Sequence, residues 1–376
     1  MKTADILDIR LHAQLIEGGS ASSAHEVVRS LLGVQAQDYA GSTWAIGLRL
    51  PGSTLCDVER AIADRAIVRT WPMRGTLHFV TAEDVRWMLA LLAPRVLARA
   101  ARREQQLELD PATLARSRAL FADALGDGRL VSRRDAMAML EASGIMTGGQ
   151  RGYHILWRLA QEGLLVVGPM EGKQQTFALL DEWVHAARDS VIASAPREDA
   201  LAHLAARYFA GHGPATLDDL ARWAGIAKSE ARGALSAVAD TLESGEHSGE
   251  RYWFSPLAAE AACRDASGSI DNARHVHLLP GFDEYMLGYT GRSHQLGEHL
   301  AAYGSKVASN GMLAPTIISG GRAIGIWKRT LKARTVDFAL SGFRPLTAPE
   351  GVAVSAEEAR YARFTGREVS PVEDSG

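Results

Sequence analysis

The chain is poor in cysteine: its 376 residues hold two, Cys56 and Cys263. They form no Cys-x-x-Cys pair, which excludes a zinc ribbon and a redox dithiol. Cysteine this sparse fits a reducing compartment, so a cytoplasmic location is expected. No stretch approaches the roughly 18 apolar residues of a membrane span. The opening MKTADILDIRLHAQ carries acids in an amphipathic pattern and lacks the apolar centre of a signal peptide. An excess of either charge is also missing, since 41 Lys+Arg against 44 Asp+Glu give −3. That excludes a uniformly basic coat, and any DNA affinity must come from a local patch. GxxxxGK[ST], GxGxxG after a strand, HExxH and GxSxG are absent too. Nucleotide hydrolysis, Rossmann redox chemistry, zincin proteolysis and α/β-hydrolase chemistry therefore lose support.

What is present is ordinary for a globular protein, with 47% hydrophobic and 23% charged residues. At about 150 residues per domain, the length implies two or three folded units. One order of elements recurs three times, as two or three helices followed by two β-segments around a turn. The repetition is of element order, not of sequence.

The first copy covers about residues 1–81. Ile6, Leu7, Ile9, Leu11, Leu15 and Ile16 have helical spacing, ended by Gly18 and Gly19. A second helix begins near Ser23, a short third runs from Asp57 to Asp64, and Ile67 to Val80 reads as a hairpin. The second copy covers about 111–183. Ser132 and Asp135 mark a capped helix start, and Tyr153, Leu156, Trp157 and Ala160 have the spacing of one buried helix face. The segments 164–167 and 174–180 flank a turn from Gly168 to Gly172. The third copy covers about 197–256 and ends in RYWF at 251–254.

Helix, helix, helix, hairpin is the order of a winged helix, whose third helix can enter a major groove. The expected fold class is α+β, with three tandem winged-helix units and a C-terminal antiparallel β-element. The expected segments are 1–110, 111–195, 196–256 and a β-rich 257–376. A last helix is expected from Ala356 to Tyr361, with a frayed tail after Glu368.

The segment Leu32 to Asp38 closes the second helix with Gln35 and Gln37 around a single residue. In extended backbone both amides point to one side. Carboxamides supply donors and acceptors but no base of useful pKa. Such a pair can hold a water or contact a sugar, and it suits a reaction whose leaving group is already activated. The competing reading is that both amides satisfy backbone groups at a helix end.

Other candidates are basic or aromatic. The hairpin carries Arg69, Trp71, Arg74 and His78, which could grip phosphates and stack on or wedge between bases. Its competing reading is a wing with an apolar underside and solvated arginines. Arg95, Arg99, Arg102 and Arg103 lie along one helix and read as a solvent face. Arg151, His154 and Arg158 stand opposite the apolar face of their helix, as Lys228 and Arg232 do in the third copy. Lys328 and Arg329 are further candidates for phosphate contact. His275 and His277 share a strand face, but no Cys, Asp or Glu lies nearby at a familiar ligand spacing, so no metal is expected. Asp283 and Glu284 are adjacent and would point apart on a strand, which argues against a concerted acid pair. No cofactor is expected.

Four stretches together resemble a known family: GVQAQD (33–38), VRTWPMRGTLHFV (68–80), LLPGFDEYMLGY (278–289) and the segment from Ala314 that ends GRAIGIWK at Lys328. They resemble the winged-helix DNA glycosylases of the AlkZ type. The resemblance implies three winged helices in a C shape. It implies hydrolysis of the N-glycosidic bond of bulky or crosslinking N7-alkylated purines in double-stranded DNA, by a monomer. The family signature is Gln-x-Gln, matched here by Gln35 and Gln37 with Ala36 between them, smaller than the usual aliphatic. A related branch has Gln-x-Asp. With no lysine beside the motif, a monofunctional enzyme without a Schiff-base step is expected. The alternatives are a winged-helix transcriptional regulator without catalytic activity and a protein–protein adaptor.

Overall fold

A computed structural model describes residues 1–19, 21–184, 192, 194–268, 275–306 and 313–371. The chain divides into two compact units. The first holds Met1–Val58, Leu204–Trp223 and Ala227–Gly376, and the second Glu59–His203 and Ala224–Ile226. This division by packing differs from a division by element order.

In the first unit, the helix Thr3–Ala13 buries Ile6, Leu7, Ile9 and Leu11. The helix Ala24–Leu31 starts at Ser23, whose hydroxyl accepts from the Glu26 amide at 3.2 Å. It stops because Leu32 turns into the left-handed region, at φ 60°. The next helix, Tyr39–Leu48, is buried along most of its length. Its Trp44 packs on Tyr361 and Phe364 at 5.0 and 5.2 Å between ring centroids.

The C-terminal part of this unit is a five-stranded sheet. Its order is Glu368–Val369, Thr335–Gly342, Arg322–Leu331, Thr316–Ser319, Val276–Leu279. Pairing is antiparallel, as expected, except between the first two, which run parallel. Two indoles fasten the edge strand: Trp44 Nε1 donates to the Leu278 carbonyl and Trp327 Nε1 to the Leu279 carbonyl, each at 2.7 Å. The final helix is longer than expected, Ala348–Phe364, because Thr347 and Glu350 close a capping box well upstream of Ala356. The segment 269–274 and the tail 372–376 lie outside the described residues.

The third copy shows its expected order: helices Leu217–Ala224 and Lys228–Val238, then the hairpin Glu243–His247 with Glu250–Phe254. Ala215 bridges to Trp253 and adds to that small sheet.

In the second unit, two hairpins share one sheet. The strand order is Thr76–Thr81, Ile67–Met73, Leu165–Glu171, Gln174–Leu179, Val131–Ser132. Both hairpins stand where the sequence placed them. The first turns tightly at Arg74 and Gly75, φ 55° and 73°, the left-handed pair that a two-residue hairpin needs. They do not project as separate wings, however. Arg69 pairs with Val167, so each hairpin covers the other's open edge.

Among the helices that accompany this sheet are four long ones, Val85–Gln106, Pro111–Ala124, Arg133–Ala142 and Arg151–Gln161. The start of the third is as expected, with Ser132 accepting from the Asp135 amide. The buried face of the fourth is rotated from the expectation. Gly152, Ile155, Leu156, Leu159 and Ala160 are buried, Tyr153 is exposed and Trp157 is half-buried. Trp157 sits at the rim because its Nε1 donates to the Gly75 carbonyl at 3.2 Å.

Candidate active site

The two glutamines lie where the helix Ala24–Leu31 gives way to two residues of strand, Val34–Gln35. Gln35 is 7% exposed, Ala36 is fully buried and Gln37 is exposed. A larger residue at position 36 would meet a packed interior, which accounts for alanine there. Gln35 Nε2 donates to Gln37 Oε1 at 2.7 Å. The buried amide thus fixes the exposed one. No described contact uses the Gln37 amide protons, so the exposed carboxamide presents donors and a remaining lone pair to a ligand.

The base of the motif rests on a residue far away in sequence. Glu284 is 1% exposed, and its Oε1 accepts from the Gln35 backbone N–H at 3.2 Å. Its Oε2 accepts from Trp223 Nε1 at 2.9 Å and lies 3.4 Å from His212 Nε2. His212 lies flat on Tyr208, with ring centroids 4.8 Å apart and 11° between planes. The sequence pointed to Asp283-Glu284 as a pair of acids but not to this role.

Asp283, its neighbour, faces elsewhere. Both its oxygens accept from Arg49, at 2.8 Å each, with both side chains fully buried. Arg49 also donates to the carbonyls of Gln14 and Ala45, and Asp283 caps the short helix Glu284–Leu287. Gln14 continues the network by donating to the Tyr289 hydroxyl at 3.0 Å, which donates to the His212 carbonyl at 2.8 Å. Burial pushes the Tyr289 hydroxyl up to about 12, so it stays a protonated donor at neutral pH. The two acids take different partners, but as the cap and first residue of a short helix and not as neighbours on a strand, and each is committed to holding the frame around the amides.

Arg329 joins this site. Its guanidinium lies 3.2 Å from Asp38, the residue after Gln37, and over the rings of Trp327 and Tyr361. Lys328, next to it on the strand, is exposed. The structure therefore joins Gln35 to Gln37 and places Arg329 against Asp38, the residue that follows them.

The hairpin candidates belong to the second unit, and most are buried. Arg69, Trp71 and His78 are 3%, 1% and 0% exposed. This corrects the expectation that they reach DNA. Trp71 packs edge-on against Tyr153, so it is filled space and not a wedge. His78 Nδ1 lies 2.8 Å from the Thr76 carbonyl and Nε2 lies 3.1 Å from Arg74 Nη2, the pattern of a neutral ring bridging the turn. Arg74 itself is half-buried at the turn.

Arg151 and Arg158 are likewise spent on the protein. Arg151 donates to the carbonyls of Leu107, Glu108 and Met146. Arg158 sits between Glu104 and Glu162, at 2.7 and 2.6 Å. A guanidinium neutralised by two carboxylates offers little to a phosphate. Arg99, Arg102 and Arg103 are exposed, which fits their reading as a solvent face. No described helix is long and apolar enough to cross a membrane.

A family profile described as DNA glycosylase AlkZ-like matches residues 28–364. The interstrand DNA cross-link repair glycosylase of Streptomyces sahachiroi is 28% identical over 384 residues, covering 96% of each chain. The solved structure of Streptomyces sahachiroi DNA glycosylase AlkZ superposes with a TM-score of 0.78 at 24% identity, covering 98% of this chain and 99% of that one.

Proposed function

This chain belongs to the AlkZ-like DNA glycosylase family, and from that premise we propose that Gln35 and Gln37 hydrolyse the N-glycosidic bond of bulky or crosslinking N7-alkylated purines in duplex DNA. The observation that carries the reading is the 2.7 Å bond from buried Gln35 to exposed Gln37. It separates the two roles. Gln35 fixes the rotamer, and Gln37 meets the attacking water and the sugar.

The chemistry asks little of the protein. Alkylation at N7 makes the purine cationic. When the C1′–N9 bond breaks, its electron pair neutralises the departing ring and leaves an oxocarbenium-like sugar. Water then bonds to C1′ and its proton passes to solvent, because neither amide can take it. Gln37 Oε1 accepts from that water and sets its approach, which is positioning plus modest electrostatic help. The family signature is met without a lysine in the 33–38 segment, so the enzyme is monofunctional.

Interstrand crosslinks enter as a substrate class because the curated relative is named for their repair. Exposed Lys328, with Arg329 and Arg74, supplies phosphate contacts in this reading. The repeated helix–helix–helix–hairpin order supports three winged-helix units acting in one monomer. A regulator needs no pair of linked carboxamides on a backbone held by a buried acid, and family membership sets that alternative aside. Incubation with duplex carrying N7-alkylguanine, followed by detection of free base and abasic sites, tests the reading. Release of neither product contradicts it, and sequence-specific binding without release restores the regulator.

A further inference from the structure

Two histidines that sequence spacing set aside acquire a third partner in the folded chain. Among the described residues, one group of three side chains has metal-ligating atoms all within 4.8 Å of one another: Glu17, His275 and His277. His277 lies on the edge strand of the C-terminal sheet, His275 stands just before that strand, and their rings are 6.4 Å apart between centroids. Glu17 comes from the turn after the helix Thr3–Ala13. Spacing could not reveal it, because 260 positions separate it from His277.

We propose that these three residues bind one divalent transition-metal ion of the zinc class. Two imidazoles and a carboxylate are a donor set such ions favour, and three protein ligands leave a fourth position to water. The geometry fits. Donor atoms around a tetrahedral zinc with bonds of about 2.0–2.1 Å stand about 3.4 Å apart. His277 Nε2 and Glu17 Oε1 are 3.4 Å apart, long for a hydrogen bond yet right for two ligands of one ion. Exposed His275 closes the remaining gap by turning its side chain.

A second observation concerns the buried ligand. The His277 side chain is 8% exposed, and its Nδ1 has no hydrogen-bond partner among the described residues. The ring is therefore buried with weakly satisfied nitrogens, and an ion on Nε2 would replace its long contact to Glu17 with a ligand bond. Both histidines line a cavity of about 630 Å³, which gives the fourth position access to water. The arginines of that cavity do not oppose a cation. Arg344 is paired with Glu350 at 2.7 Å and Arg360 with Glu357 at 3.3 Å. The ion would clip the edge strand to the turn after the first helix, and base release does not pass through it.

The test uses the untagged full-length protein, stripped with a chelator and titrated with Zn²⁺ by calorimetry and with Co²⁺ by visible absorption. We expect one saturable ion per chain, a tetrahedral Co²⁺ band and a higher melting temperature with zinc. His277→Ala should weaken binding about 100-fold, and His275→Ala or Glu17→Gln at least about 10-fold. His275 is exposed, so its variant folds and keeps the test valid if His277→Ala does not. Absence of saturable binding overturns the proposal, as does undiminished binding by His275→Ala and Glu17→Gln. Base release unchanged by zinc agrees with a structural ion, and release that requires zinc contradicts it.

Discussion

Glu284 Oε1 accepts from the backbone N–H of Gln35 at 3.2 Å, although 249 positions separate the two residues. The acid reaches the motif's backbone while the indole of Trp223 holds its other oxygen. Glu284→Gln sets an amide N–H₂ against one of those donors. We predict a drop of about 10-fold in the rate of base release with DNA affinity unchanged, the split expected of a group that positions another. Glu284→Ala leaves buried donors unsatisfied, at about 1–3 kcal/mol each. Single-turnover kinetics beside duplex binding decides the matter, and equal loss of both would mean a general structural defect.

The Arg49–Asp283 pair is fully buried on both sides. Removing one partner strands a charge in the interior. Asp283→Ala should cost about 3–5 kcal/mol in urea unfolding. A loss under 1 kcal/mol would show that water reaches the site.

Gly47 lies inside a helix, where alanine normally stabilises by about 1 kcal/mol. Here a Cβ would stand 2.3 Å from Phe364 Cε2. Phe364 is a buried ring packed on Trp44, so it cannot give way cheaply. Gly47→Ala should therefore destabilise by about 1–3 kcal/mol, reversing the helix preference. A raised melting temperature would refute this packing.

Acid should weaken the fold through His294. Burial first, then the charge of Arg10 and His247, lowers its pKa from 6.5 to about 4. Between those values the unfolded chain binds a proton that the folded chain refuses. Stability therefore rises with pH across this window and is lost as pH falls from about 6.5 to 4. Half-burial of the ring moderates the size. Urea melts of wild type and His294→Gln at pH 7 and pH 4.5 should show a smaller fall in the variant.

Local chemistry was legible in the sequence, and long-range partners were not. Gln35 and Gln37 stand out because a helix end, a strand and a helix start fall within Leu31 to Tyr39. The tight turn at Arg74-Gly75 and the cap at Ser132 are equally local signals. The hairpin's destination was not readable. In IVRTWPM every residue is buried, polar ones included, so the alternation that marks a half-exposed strand is missing. Arg69 and His78 looked like surface for that reason. Arg158 read as basic because its counter-ion Glu104 comes from another helix. Glu284 was visible as an acid but not as the support of Gln35, and Glu17 not at all beside His277.

In the proposed reaction an exposed carboxamide, held by a buried one, directs water onto the sugar. Single-turnover release of N7-alkylguanine from duplex DNA by Gln37→Ala, Gln35→Ala and the double variant tests it most directly. Gln37→Ala should lose about 100-fold, Gln35→Ala less, and the double variant little more than Gln37→Ala, because the pair acts as a unit. Folded single variants that both release the base as fast as wild type would contradict it.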